Sequence, residues 1–119
     1  MDDCLFCKIG QGLIPAKKEY ESENVFAIND IHPKAPLHVL VIPKQHVLES
    51  MNDFAQDHAL LLSEMFEAAR DIAAKYGADK HGYKLIFNVG SGAGQTVMHL
   101  HLHVLGKKSA EDTLPSLAE

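Results

Sequence analysis

The sequence predicts an α+β fold, and three stretches carry that reading. His99-Leu100-His101-Leu102-His103-Val104-Leu105 alternates imidazole with aliphatic residues, the period of a β-strand, in which residues i, i+2 and i+4 share one face. His38-Val39-Leu40-Val41-Ile42-Pro43 is a short aliphatic run, the pattern of a strand buried on both faces. From Asn52 to Tyr76 apolar residues return at alternating spacings of four and three, the signature of a long amphipathic helix.

In chain order, Phe6, Ile9 and Leu13 are spaced for a short helix over 6–14 that Pro15 closes. Residues 20–29 read as strand, with a turn signal at Glu21-Ser22-Glu23-Asn24 before the apolar Val25-Phe26-Ala27-Ile28. Asp30 then ends it, as a short acidic side chain suits a turn. After the 38–43 strand, Lys44 and His46 open an exit loop whose default is solvent. In the long helix, Phe54, His58, Leu61, Met65, Ala68 and Ile72 form one stripe. Leu62, Ala69, Ala73 and Tyr76 widen it. Asn52 or Asp53 suits its start and Gly77 its end. A helix apolar on more than one side is expected to meet a second body, such as a twin subunit. Lys84 to Val89 reads as a further strand leading into a glycine-rich loop. Residues 1–106 form one domain, and 107–119 read as a polar, pattern-free tail.

With 119 residues, the chain can bury one core and little more. A hydrophobic fraction of 46% and a charged fraction of 23% are those of an ordinary globular protein. A formal charge of −5 argues against broad binding to nucleic acid or an anionic membrane, since both need a basic footprint. No apolar run reaches transmembrane length, and Met1-Asp2-Asp3 is not the start of a signal peptide, so a cytoplasmic location is expected. Cys4 and Cys7 are spaced Cys-x-x-Cys, which in a reducing compartment points to metal or redox use.

A face lined by His99, His101 and His103 concentrates the one side chain that titrates near neutrality. Such a face can bind a metal, or one imidazole can attack an electrophile while its neighbours handle protons. The loop Asn88-Val89-Gly90-Ser91-Gly92-Ala93-Gly94-Gln95-Thr96 favours the second chemistry. Its glycines permit close backbone approach, and successive N–H groups cradle an anion such as phosphate.

The His-x-His-x-His run, preceded by Gly94-Gln95-Thr96-Val97, is similar to the signature of the histidine-triad superfamily of nucleotide hydrolases and transferases. Asp30-Ile31-His32-Pro33-Lys34-Ala35-Pro36, then His38 to Lys44, and Leu105-Gly106 resemble the Hint branch, the nucleotide-binding phosphoramidases. The likeness spans Phe6 to Gly106. It implies an antiparallel sheet of about five strands with one long and one short helix, continued across a homodimer. It also implies hydrolysis of AMP- or GMP-type nucleoside phosphoramidates through a covalent nucleotidyl-histidine, with no cofactor needed for catalysis. His101 would be the nucleophile, His103 would meet the phosphate or leaving atom, and His103 and His38 would move protons within a site that His99 completes. Leu5, Phe6 and Ile9 would wall the base, and Asp30, with Ile31 beside it, would hold the ribose. Asn88, Gly94, Gln95 and Thr96 would face the phosphate, Thr96 standing where many Hint proteins have Ser. Two alternatives stay open: a dinucleoside polyphosphate hydrolase or nucleotidyltransferase, and a nucleotide-binding regulator with incidental turnover.

Cys4 and Cys7 also stand where several histidine-triad proteins carry a zinc pair. There the set is completed by a histidine after the Ile-Pro-Lys strand end and by the first triad histidine, positions held here by His46 and His99. Strict alternation aims His99 at the face of His101, so reaching a separate structural zinc requires His99 to precede the regular strand. Otherwise the cysteines are small buried hydrophobes and His46 is solvated.

Overall fold

The computed structural model describes residues 4–115. Met1-Asp2-Asp3 and the last four positions of the predicted tail lie outside the described residues. One antiparallel sheet of five strands runs through the molecule in the order β1-β2-β3-β5-β4. Its strands are β1 (Lys18–Glu21), β2 (Val25–Asn29), β3 (Leu37–Pro43), β4 (Tyr83–Ile86) and β5 (Leu102–Gly106). Helix α1 (Leu5–Gly10) covers one face, and α2 (Ala59–Lys75) covers the other. The single turn α3 (Ala78–His81) leads into β4.

Alternation divides each central strand between two cores. Val39 and Val41 of β3, Val25 and Ala27 of β2, and Leu102 and Val104 of β5 pack beneath α2 with Leu62, Met65 and Ile72. The intervening Leu40 and Ile42, with Phe26 and Ile28, pack beneath Phe6 and Ile9 of α1. All seven residues of β3 are buried, as expected of a central strand with both faces covered. That apolar area is the main stabilising term, at about 25 cal/mol per Å² removed from water.

The elements expected from the sequence are present, with different limits. The stretch 20–29 is a hairpin, because Ser22 N–H bonds to Val25 O (2.8 Å) and closes a tight turn between β1 and β2. Glu64 on α2 fastens that turn, accepting from the Ser22 hydroxyl and from the Asn24 N–H (3.0 Å). Helix α1 stops at Gly10, well before Pro15. A Cβ at Gly10 would lie 3.0 Å from the Phe26 ring, and Gly12 turns the chain away with φ +79°.

The long helix begins at Ala59, seven residues later than its pattern. Ahead of it lie two 3-10 turns, Met51–Asp53 and Gln56–His58. Ser50 caps the first, accepting from Asn52 N–H (3.1 Å), while Asp53 accepts from Glu49 N–H (3.0 Å) and His58 Nδ1 from Ala55 N–H (2.9 Å). These local side-chain bonds compete with helical backbone bonds, so neither Asn52 nor Asp53 caps α2. The two apolar sets on α2 merge into one wide stripe, Leu62, Met65, Ala68, Ala69, Ile72 and Ala73. The chain's own sheet covers that stripe, whereas Phe54 lies largely exposed ahead of the helix. Strand β4 is limited to Tyr83–Ile86, the residues that pair with β5.

The alternating histidine stretch differs most. Pairing with β3 begins at Leu102, opposite Val41, so only His103 of the three lies inside β5. His101 stands one residue before it, and His99 lies in an irregular segment held by Leu100 N–H to Leu48 O (2.9 Å). Among the described residues, no helix is long and apolar enough to cross a membrane.

Candidate active site

The α1 face of the sheet holds a cavity of about 370 Å³, floored by β2, β3 and β5 and walled by α1 and the glycine-rich loop. Leu5, Phe6 and Ile9 form its apolar wall together with Ile28, Leu40 and Val97. His101, His103, Asp30, Asn88 and Thr96 bring its polar groups.

Local bonds fix which nitrogen of each imidazole carries the proton. His101 Nδ1 lies 2.8 Å from the carbonyl oxygen of His99. A carbonyl only accepts, so Nδ1 is the donor and the lone pair of the neutral ring is on Nε2. Phe6 packs edge-on against the ring at 5.1 Å. On β3, His38 Nδ1 accepts from Lys34 N–H (3.1 Å), which leaves the proton on Nε2 to be donated to His103 Nδ1, 2.9 Å away. His103 therefore carries its own proton on Nε2, which lies 3.4 Å from Asn88 Nδ2.

Burial keeps these rings neutral. It holds His101 and His38 below the usual histidine value. Burial also pushes His103 down to about 4, helped by the neighbouring His101 and His38 and opposed by the Asp30 carboxylate. Asp30 Oδ2 lies 3.5 Å from His38 Nε2, and its other oxygen accepts from His32 N–H (2.8 Å). Neutral imidazole is a nucleophile without a separate base, so the cavity joins a fixed lone pair on His101 to a fixed N–H on His103.

The comparisons agree with this geometry. Residues 3–116 match the family model described as scavenger mRNA decapping enzyme C-term binding. Protein HitA of Neisseria gonorrhoeae is 43% identical over 106 residues, 89% of this chain and 97% of that protein. A HIT family hydrolase from Legionella pneumophila superposes with a TM-score of 0.84 at 48% identity, covering 87% of this chain and 92% of the other. A HIT family hydrolase from Clostridium thermocellum gives 0.89 at 42% identity, covering 98% of both.

The chain belongs to the histidine-triad (HIT) family.

Of the residues expected at a HIT nucleotide site, Leu5, Phe6, Ile9, Asp30, Ile31, Asn88, Gly94, Thr96, His101 and His103 line the cavity. His38 stands behind His103, 4% exposed. Gln95 is not in the lining. It is 2% exposed, with Oε1 accepting from Gly90 N–H (2.9 Å) and Nε2 donating to Glu49 O (2.6 Å) and Val97 O (3.1 Å). It braces the loop from within. Gly94, at φ +94°, spends its N–H on Ser91 O (3.1 Å), so the donors at the mouth come from Asn88 and Thr96.

His99 does not share the face of His101. It is fully buried, donating from Nε2 to Pro43 O (2.8 Å) and presenting Nδ1 to Cys4 Sγ (3.2 Å) and Cys7 Sγ (3.5 Å). His46, expected in solvent, joins them with Nδ1 3.6 Å from Cys7 Sγ and its buried Nε2 without a partner among the described residues. Burial and the neighbouring Cys4 push the Cys7 thiol up to about 11.

Sequence reasoning missed Ile28, Asn29, His32, Lys34, Leu40 and Val97 in the lining. Alternation along β2 and β3 carries the signal for Ile28 and Leu40. Lys34 and His32 are placed by the path of a loop, for which the sequence has no periodic signal.

Proposed function

We propose that this HIT protein is a nucleotide-binding hydrolase of the Hint type, cleaving nucleoside 5'-phosphoramidates through a covalent nucleotidyl-His101 intermediate. The observation that carries the reading is the His101 Nδ1 bond to the His99 carbonyl, which commits the Nε2 lone pair to attack. Nε2 attacks the α-phosphorus in line, the P–N bond breaks, and the amine, its nitrogen held by the His103 Nε2–H, leaves with a proton taken from water. Water then attacks the nucleotidyl-imidazole, releasing the nucleoside monophosphate and returning a proton to the solvent, with the His103 N–H steadying the phosphoryl oxygens. Asn88 and Thr96 donate to the non-bridging oxygens, Lys34 adds a cation at the rim, and the Leu5-Phe6-Ile9 wall takes the base. Assay of AMP and GMP phosphoramidates beside diadenosine polyphosphates tests the proposal. The phosphoramidates are expected to turn over faster by at least about tenfold, a barrier difference of about 1.4 kcal/mol. Faster cleavage of the dinucleotides would overturn it.

Structural zinc fits the second cluster. The ligating atoms of Cys4, Cys7, His46 and His99 lie within 4.8 Å of one another, two sulfurs and two nitrogens as a tetrahedral site needs. The Pro43 bond leaves the His99 Nδ1 lone pair directed at them. These residues would hold the metal as a clamp on α1, away from the reacting atoms. Metal analysis of protein purified without chelator is expected to give about one zinc per chain, lost in Cys4→Ser.

A homodimer completes the reading. Strand β4 is a sheet edge, Leu85 on it and Phe66 on α2 are exposed, and Phe66 meets Phe87 edge-on at 6.3 Å. A second copy pairing along β4 would cover this edge.

A further inference from the structure

His99 faces two ways, and the two sides belong to different sites. Its ring is held by Pro43 O and by the thiols of Cys4 and Cys7, while its carbonyl oxygen holds the Nδ1–H of His101. The sheet does not fix that carbonyl, because β5 pairing starts only at Leu102. Between the end of the loop and the strand, the backbone bond from Leu100 N–H to Leu48 O is supplemented by the anchoring of the His99 ring. The rings of His46 and His99 pack at 4.5 Å, and Phe6, next to Cys7 on α1, touches both His99 (5.9 Å) and His101 (5.1 Å).

We propose that Cys4, Cys7 and His46 are positioning residues for the nucleophile, acting through His99 to set the tautomer and aim of the His101 ring. This rests on His101 being the attacking residue. If the His99 ring loses its partners, the segment around it can rotate and its carbonyl leaves His101 Nδ1. The ring then populates both tautomers, and the Nε2 lone pair is no longer fixed toward the phosphorus. A misplacement of about 1 Å costs on the order of a hundredfold in rate, so a small shift of this carbonyl is enough. The cluster is thus coupled to turnover without touching the nucleotide.

His46→Ala is the most informative variant, since His46 lies outside both the cavity lining and α1. Three quantities are compared with the wild type: AMP affinity by calorimetry, kcat on an AMP phosphoramidate, and the His101 ring nitrogens in long-range ¹H–¹⁵N spectra. AMP affinity is expected to stay within about twofold while kcat falls at least about tenfold. The His101 spectrum is expected to change from a single Nδ1–H tautomer to a mixture. His46→Cys, which keeps a ligating atom, is expected to recover both kcat and the single tautomer in part. An unchanged tautomer in a folded His46→Ala overturns the proposal, as does a loss confined to melting temperature or AMP affinity. Should His46→Ala not fold, Cys4→Ser is read by the same three measurements. A wild type that binds AMP but never turns over refutes the nucleophile reading instead, while the tautomer comparison still decides the coupling.

Discussion

His38 and His103 are diagonal neighbours across β3 and β5: His38 pairs with Leu105 in register, yet its Nε2 reaches His103 Nδ1 at 2.9 Å. With His38 Nδ1 occupied by the Lys34 N–H, the bond has one polarity and fixes the proton of His103 on Nε2. His38→Ala frees His103 Nδ1 and lets the tautomers mix. Phosphoramidate turnover is expected to drop by about a hundredfold, the usual worth of a placed proton donor, with AMP affinity little changed. Steady-state kinetics and calorimetry on the purified variant check this, and unchanged kcat would remove His38 from the proton path.

The depressed His103 value makes stability depend on pH. Near pH 6.5 and below, the unfolded chain protonates this histidine, whereas the folded protein resists until about 4. The unfolded state therefore binds more protons in that window, and stability falls as pH drops from about 6.5 to about 4, levelling off below. The groups facing His103 are His101 before β5, His38 on β3, Asp30 after β2 and Lys34; burial outweighs the opposing Asp30 carboxylate. Denaturation midpoints measured across this range are expected to fall more steeply for wild type than for His103→Asn. Parallel curves would contradict the assignment.

Gln95 ties both ends of the glycine-rich loop to the backbone at Glu49. Gln95→Ala leaves the part-buried Glu49 and Val97 carbonyls and the Gly90 N–H without this partner, expected to cost about 1–3 kcal/mol of stability. Since Thr96 and Gly94 line the cavity beside it, AMP affinity is expected to weaken as well. Thermal melts and calorimetry on one preparation test both effects. A variant as stable as wild type would show that the loop holds without it.

The edge strand β4 carries the expectation of a dimer. Light scattering at micromolar concentration is expected to give twice the 13.1 kDa chain mass, and Leu85→Lys to shift it toward one chain. A wild-type monomer would contradict the paired edge.

Much of the site was legible because its chemistry follows local spacing. The His101 and His103 pair, the loop from Asn88 to Thr96, Asp30 at a strand end and the Cys-x-x-Cys pair are all readable in a few residues each. What escaped depends on distant partners. A period of two shows that a strand is present but not where its ladder begins, and β3 begins pairing with β5 only at Leu102. His99 was therefore placed on the wrong face by strict alternation, though its zinc-pair expectation required the departure that occurs. Gln95 sits among small loop residues and was expected to face the phosphate, yet its acceptor at Glu49 lies 46 residues away. The α2 pattern over-ran its helix at the start, where Ser50, Asp53 and His58 bond their own backbone instead. Apolar spacing alone does not register that competition.

The most direct test of the nucleotidyl-His101 reaction is a single-turnover experiment. Enzyme in excess is mixed with an AMP phosphoramidate, quenched at intervals, digested and analysed by mass spectrometry. The expected result is a transient adenylyl adduct on the peptide carrying His101, formed before AMP is released, and absent from a His101→Ala variant that still binds AMP. Near-normal turnover by His101→Ala, or an adduct that maps to another residue, would contradict it.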